Sequence, residues 1–170
     1  AFSTENWKRS DKEVSGLMSL MLDYLKNAEK ELGGDEVRIR VIGDPTRFSD
    51  EIQQQIKRVE AVTKDNKAVT VTLALNYGGR DELVHAVKAI AKEVQNGKTN
   101  PDSIDEETVS RHLYTYDMPD PDLVIRTSGE LRLSNYLLWQ TSYSELYFTD
   151  TLWPDFDEKE FTKAIDAYLS

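Results

Sequence analysis

Cysteine is absent from all 170 residues. Disulfides and cysteine-ligated zinc are thereby excluded, and the absence suits a reducing compartment. Histidine is nearly as scarce. His85 and His112 are the only two; both fall in helical patterns without metal-ligand spacing and read as surface residues. Basic charge is the minority: 21 Lys and Arg stand against 31 Asp and Glu, a net charge of −10. That excludes a general nucleic-acid surface, because phosphates select basic faces. The cations that do occur therefore read as local tools. No run approaches the roughly 18 apolar residues that span a membrane, and no signal-peptide pattern opens the chain. P-loop, nucleophile-elbow, GxGxxG and zinc motifs are missing, as are repeats, low-complexity tracts and linkers.

The chain has the composition of a globular protein, 39% hydrophobic, and the length of a single domain, residues 1–170. Val14, Leu17, Met18, Met21, Leu22 and Leu25 follow helical spacing and predict an amphipathic helix over 10–32, capped by Ser10 or Asp11 and ended by Gly33-Gly34. Its apolar stripe is read as packing on a sheet or as the wall of a lipid tunnel; periodicity fits both. "VRIRVIGD" (37–44) alternates as a strand does. Pro45 and Ser49 introduce a helix with Ile52, Ile56 and Val59 inward. "AVTVTLALN" (68–76) is a β-branched strand, and the helix after Gly78-Gly79 is expected to turn Leu83, Val87, Ile90 and Val94 inward. A short helix over 104–114, a buried strand over 121–129, a helical stretch over 135–143, a strand at "ELYFTD" and a last helix with Phe161, Ala164, Ile165 and Tyr168 on one side complete the pattern. Strands alternating with helices predict an α/β fold, a mainly parallel β-sheet with helices on both faces. Ligands of such sheets sit beyond the strands' carboxyl ends, which selects "STENW", "GDPTR", "NYGGR" and "RTSGELRLS".

The last of these is the most pointed. Arg126 and Arg132 flank a Thr-Ser-Gly turn, Ser134 follows, and an aromatic run ends at Glu145. Planar guanidinium forks and a hydroxyl suit a diphosphate; the plainer alternative pairs the arginines with local acids such as Glu130. A carboxylate in apolar company needs a cation. Beside a diphosphate Glu145 suits Mg²⁺, which takes one or two carboxylates plus phosphate oxygens; the alternatives are an ion pair or a solvated strand start.

Together these stretches resemble the cis-prenyltransferase family. "FSTENWKR", "RVIGDPTRF", "LNYGGRDEL", "DLVIRTSGELRLSNYLLWQTSYSELYF" and "LWPDFDEKEF" match in the family's order and cover nearly the whole chain. The resemblance implies a homodimeric, Mg²⁺-dependent transferase. It would extend an allylic diphosphate, such as farnesyl diphosphate, with isopentenyl diphosphate units in cis geometry, giving a long polyprenyl diphosphate for cell-wall lipid carriers. It also implies a cytoplasmic place at the inner membrane face, with peripheral contact for product release.

Residue by residue, the resemblance makes Arg126, Arg132 and Ser134 the isopentenyl diphosphate clamp, with Leu133 beside them among the substrate-binding residues, Glu145 the Mg²⁺ ligand and Asn6 the proton acceptor. Ser3, Thr4, Glu5, Trp7 and Arg9 match the substrate-contacting segment around Asn6. Leu131 departs from members that carry a metal-associated histidine there. The family's opening M-D-G-N-G-R-W motif and its Arg-rich tail are not found in this chain. Both ends read as cut, and the chain by itself is expected to be inactive. The alternative is a non-catalytic prenyltransferase-like partner subunit, although such subunits usually lack the arginine clamp. A generic phosphosugar or nucleotide enzyme stands only if the resemblance is set aside.

Overall fold

The computed structural model describes residues 2–31 and 36–170; Gly33 and Gly34, expected to end the first helix, lie outside them. The chain enters as a short strand β1 (Phe2–Ser3) and a 3-10 turn over Thr4–Lys8. Helix α1 (Asp11–Glu31) follows. Ser10 and Glu13 exchange hydrogen bonds at its start: the Glu13 N–H donates to Ser10 Oγ (3.4 Å) and the Ser10 N–H to Glu13 Oε2 (3.2 Å). Strand β2 (Val37–Ile42), helix α2 (Asp50–Thr63), strand β3 (Val69–Tyr77) and helix α3 (Gly79–Gln95) come next. The chain ends through α4 (Glu106–Ser110), β4 (Leu123–Arg126), β5 (Glu145–Phe148) and α5 (Glu158–Leu169).

Every described strand pairing is parallel, in two sheets. One has the order β1-β3-β2; the other is the pair β4-β5. β2 runs beside β3 from Val37 opposite Val69 to Ile42 opposite Ala74, and β1 lies on β3's other side with Ser3 opposite Tyr77. The larger core lies between α1, α2 and this sheet: Leu25, Ala28, Ile52, Ile56, Val59, Ile39, Phe48 and Phe2 are buried together. The α1 stripe is divided. Leu25 and Ala28 are fully enclosed, whereas Leu17, Met18, Met21 and Leu22 are half-covered against the same core.

Several expectations are corrected. The strand over 121–129 is only four residues long and half-buried along its length. The stretch 135–143 is a succession of turns, not a helix. Ser134, Asn135 and Leu137 have φ of 51°, 60° and 45°, a left-handed conformation that no right-handed helix admits. The helix expected over 104–114 closes at Ser110. In α3 the inward residues are Glu82, Ala86 and Ile90, while Val87 is 62% exposed. A buried carboxylate displaces the apolar face: Glu82 accepts bonds from the Tyr77 hydroxyl, the Tyr114 N–H (2.8 Å) and Gln140 Nε2 (3.1 Å). In α5 only Ala164 is buried, with Phe161 and Tyr168 largely open.

His112, read as a surface residue, is half-buried and held on both ring nitrogens. Its Nδ1 lies 2.7 Å from the Thr108 carbonyl and its Nε2 3.1 Å from Glu93 Oε1. The Thr108 carbonyl first, then Glu93, raise its pKa above the ordinary imidazole value. A raised folded-state value means that protonated His112 adds stability in full below about pH 6.5, the unfolded value, and loses it as pH rises through the folded value. The wild type should therefore lose stability over that rise that His112→Gln does not. Thermal melts across neutral pH check this; parallel curves would contradict it.

Candidate active site

Ser3 ends β1 and Arg126 ends β4, so both stand at carboxyl edges of parallel strands. Between them opens a cavity of about 570 Å³ lined by Ser3, Val124, Ile125, Arg126, Arg132, Leu133, Ser134, Tyr136 and Trp153. That volume falls in the usual range for small-ligand sites. Arg126, Arg132, Leu133 and Ser134, expected from the sequence to bind substrate, and one residue of the distant opening segment thus line one cavity. The remainder is apolar or aromatic, which suits a ligand with a charged head and a hydrocarbon body. Tyr136, Trp153, Val124 and Ile125 were not foreseen. Burial raises the Tyr136 phenol above its ordinary pKa, so at neutral pH it remains a neutral hydroxyl able to donate.

The clamp is held at rest by its own partners. Arg126 Nη2 donates to Ser134 Oγ at 3.4 Å, and Arg132 pairs with Glu130. The plainer reading of Arg132 is thus realised in the free chain, yet Arg132 remains 66% exposed and able to exchange partner. Leu131 is 76% exposed and does not line the cavity.

Of the opening segment, only Ser3 reaches the cavity. Asn6 closes a capping box on the 3-10 turn: its Oδ1 accepts the Ser3 N–H at 2.7 Å. Trp7 donates its indole N–H to Asn76 Oδ1 (2.7 Å), carries the Arg47 guanidinium 4.4 Å above its ring, and packs against Phe2 and Phe48. Asn76, buried at φ 49°, in turn donates to the Asp44 carbonyl (2.7 Å). "ENW", "GDPTR" and "LNYGG" are thereby tied together. Arg9 is exposed and pairs with Glu13 at 3.6 Å. Thr4 and Ser3 donate to Glu5 Oε2 (3.2 and 2.8 Å). The Ser3 hydroxyl, then the Asn135 amide, hold the Glu5 carboxyl below its ordinary pKa.

Glu145 is not brought to the clamp, and its apolar setting is corrected: it is an exposed first residue of β5. It lies opposite Leu123, whereas Arg126 lies opposite Phe148. Three residues along a strand is about 10 Å. Glu145 lines a separate small hollow with Leu123, Ala167 and Tyr168. Among the described residues no three His, Asp or Glu gather to hold a metal ion, so Glu145 offers one hard oxygen donor of an incomplete set. No described helix is long and apolar enough to cross a membrane.

A parallel α/β fold that sets Arg126, Arg132, Ser3 and Ser134 at a cavity with apolar and aromatic walls fits the class that the sequence resemblance implies, a prenyltransferase. Comparison with known proteins agrees and narrows the class. The chain belongs to the undecaprenyl diphosphate synthase (Prenyltransf) family, whose model matches residues 1–170. It is 49% identical over 170 residues to the ditrans,polycis-undecaprenyl-diphosphate synthase ((2E,6E)-farnesyl-diphosphate specific) of Escherichia coli K12, covering 100% of this chain and 67% of that protein. It is 53% identical over 168 residues to the isoprenyl transferase of Fusobacterium nucleatum, covering 99% and 70%. Among solved structures, lavandulyl diphosphate synthase from Lavandula x intermedia, in complex with dimethylallyl diphosphate, superposes with a TM-score of 0.93 at 41% identity over 99% of this chain and 73% of that one. A probable undecaprenyl diphosphate synthase from Campylobacter jejuni gives 0.85 at 37% identity, over 100% and 77%.

Proposed function

We propose that the chain extends an allylic diphosphate such as farnesyl diphosphate with isopentenyl diphosphate units in cis geometry, yielding a long polyprenyl diphosphate for a cell-wall lipid carrier. One observation carries the substrate assignment: Ser3, Arg126, Arg132, Leu133 and Ser134 line a single cavity whose other walls are apolar and aromatic. In each step the allylic C–O bond breaks and diphosphate leaves with the electron pair. The isopentenyl double bond attacks the allylic carbon, and a proton is lost to form the new cis double bond.

Arg126, Arg132 and Ser134 hold the isopentenyl diphosphate so that its alkene lies in line. Val124, Ile125, Leu133 and Trp153 keep water from the cationic carbon. Asn6 is the proposed proton acceptor by resemblance, one turn from Ser3 in the wall. Thr4, Trp7 and Arg9 act with it by shaping that segment. Mg²⁺, with Glu145 as one donor, would supply charge neutralisation of a diphosphate. A homodimer is proposed on the same resemblance; the apolar groove of about 440 Å³ over Val87, Ala91 and Ile104 supports a protein contact, and solution mass tests it.

Labelled isopentenyl diphosphate, given with farnesyl diphosphate and Mg²⁺ to the enzyme as the cell makes it, should be built into long-chain product. Binding without incorporation would favour the non-catalytic partner. The half-covered stripe of α1 sets the second test. Leu17→Trp or Leu22→Trp should shorten the product if this face borders the hydrocarbon path, whereas Leu25→Trp overpacks an enclosed core site and should lower stability by about 1–3 kcal/mol. Chromatography of dephosphorylated products reads the lengths; full-length product from active Leu17 and Leu22 variants would reduce the stripe to packing.

A further inference from the structure

Asn135 adjoins Ser134, and the segments that follow β1 and β3 both meet on it. Its Nδ2 donates to Glu5 Oε1 at 2.9 Å, its Oδ1 accepts the Arg80 N–H at 2.8 Å, and its backbone carbonyl accepts the Gly79 N–H at 2.7 Å. Its φ of 60° is a conformation asparagine tolerates better than other side chains, and one that persists only where the surroundings enforce it. The approach is close enough to require glycine opposite. A Cβ on Gly78 would stand 2.6 Å from Thr4 Oγ1 and 3.0 Å from Asn135 Nδ2, and one on Gly79 3.2 Å from the Asn135 carbonyl. Glu5, at the other end of the bond, orients Ser3 by accepting its hydroxyl on Oε2 (2.8 Å). A continuous path Ser134–Asn135–Glu5–Ser3 therefore joins the two walls of the cavity.

We propose that the Glu5–Asn135 bond is a strap that sets the separation of Ser3 from the arginine–serine clamp, making both members positioning residues for isopentenyl diphosphate. This reassigns Glu5, expected to contact substrate, to work through Ser3 and Asn135. The proposal rests on the reading of the cavity as the isopentenyl diphosphate site.

The bond has a chemical inverse. In Glu5→Gln/Asn135→Asp the donor and acceptor change sides. The new glutamine nitrogen stands where Oε1 stood and faces an aspartate oxygen; its remaining oxygen still accepts from Ser3 and Thr4. The aspartate's other oxygen still accepts from Arg80. Asn135→Asp alone instead opposes two carboxylates, and Glu5→Gln alone keeps an acceptor for Asn135 only by turning its NH₂ toward the Ser3 and Thr4 hydroxyls, which reverses the bond that orients Ser3.

Each single variant should raise the isopentenyl diphosphate KM and Kd by about tenfold or more, with kcat changed less. The double variant should return to within about threefold of wild type. Asn135→Asp alone should regain affinity as pH falls, because the two carboxylates then share a proton. The partners of Glu5 in the wild type, Ser3, Thr4 and Asn135, do not titrate, so wild type and double variant should lack that acid recovery. A purely structural lesion would lower the melting temperature without it.

Single variants that match wild type would overturn the strap. So would a double variant no better than the worse single, which would mean that the Glu5 charge acts on substrate directly. If the wild type itself does not bind isopentenyl diphosphate, the cavity reading fails instead. Thermal melts still judge the bond in that case, supporting it if the double variant regains the stability lost by the singles and contradicting it if not.

Discussion

Arg126→Ala is expected to raise the isopentenyl diphosphate KM and lower kcat, for a combined loss of about ten- to a hundredfold in kcat/KM. Each charge-assisted contact to phosphate is worth roughly 1.5–3 kcal/mol, and Arg126 is the half-buried member of the pair that lines the cavity. Arg132→Ala should cost at least as much, because it also removes the partner of Glu130 and leaves that carboxylate beside the diphosphate. Arg132→Ala/Glu130→Gln should then be milder than Arg132→Ala alone. Lysine at either position keeps the charge and loses the fork, so it should fall between wild type and alanine. Steady-state kinetics with both substrates varied decides the matter. A damaged farnesyl diphosphate KM beside an unchanged isopentenyl one would reverse the assignment.

Gly43→Ala should severely destabilise the folded protein. Gly43 has φ +112°, where L residues are strained, and a Cβ there would stand 2.1 Å from the Leu75 carbonyl oxygen and 3.0 Å from that of Asn76. Both obstacles are backbone of the strand that β2 pairs with, so neither can swing aside. The combined cost should exceed about 4 kcal/mol, a large share of the 5–15 kcal/mol that keeps a domain folded. Gly16→Ala has the opposite sign. Nothing lies within 4 Å of its added Cβ, and removing a glycine from a helix interior gains about 0.5–1 kcal/mol. Denaturant unfolding of Gly16→Ala and the soluble yield of Gly43→Ala check the pair; a folded Gly43→Ala with wild-type stability would show that the loop at Asp44 can relax.

The parallel strands and long helices were legible because their apolar residues repeat with periods of two and 3.6, as Ile39 in β2 and Ile52, Ile56 and Val59 in α2 illustrate. Periodicity failed where polar groups are buried. Glu82 carries no apolar signal, yet it is buried and accepts three bonds, while Val87, expected inward, lies open. It failed again at 135–143, where left-handed residues replaced the expected helix; the Ser-Asn pair was the only hint. That Arg126, Arg132 and Ser134 gather at one cavity was legible in their charge and hydroxyl company. Glu145 misled because apolar neighbours in sequence do not make a buried site: the start of β5 is open, with Glu145 and Leu146 both exposed. Asn135 and Asn76, which fasten the loops together, carry no charge and no spacing signature, so only the fold reveals them.

The central claim is the location of the isopentenyl diphosphate, and the most direct measurement is a crystal structure of the enzyme with that molecule soaked in. The account predicts diphosphate density within hydrogen-bonding distance of Arg126, Arg132 and Ser134, with Arg132 turned from Glu130 and the hydrocarbon directed along Val124, Ile125 and Trp153. Diphosphate bound elsewhere, with the Arg132–Glu130 pair intact and the cavity empty, would contradict it.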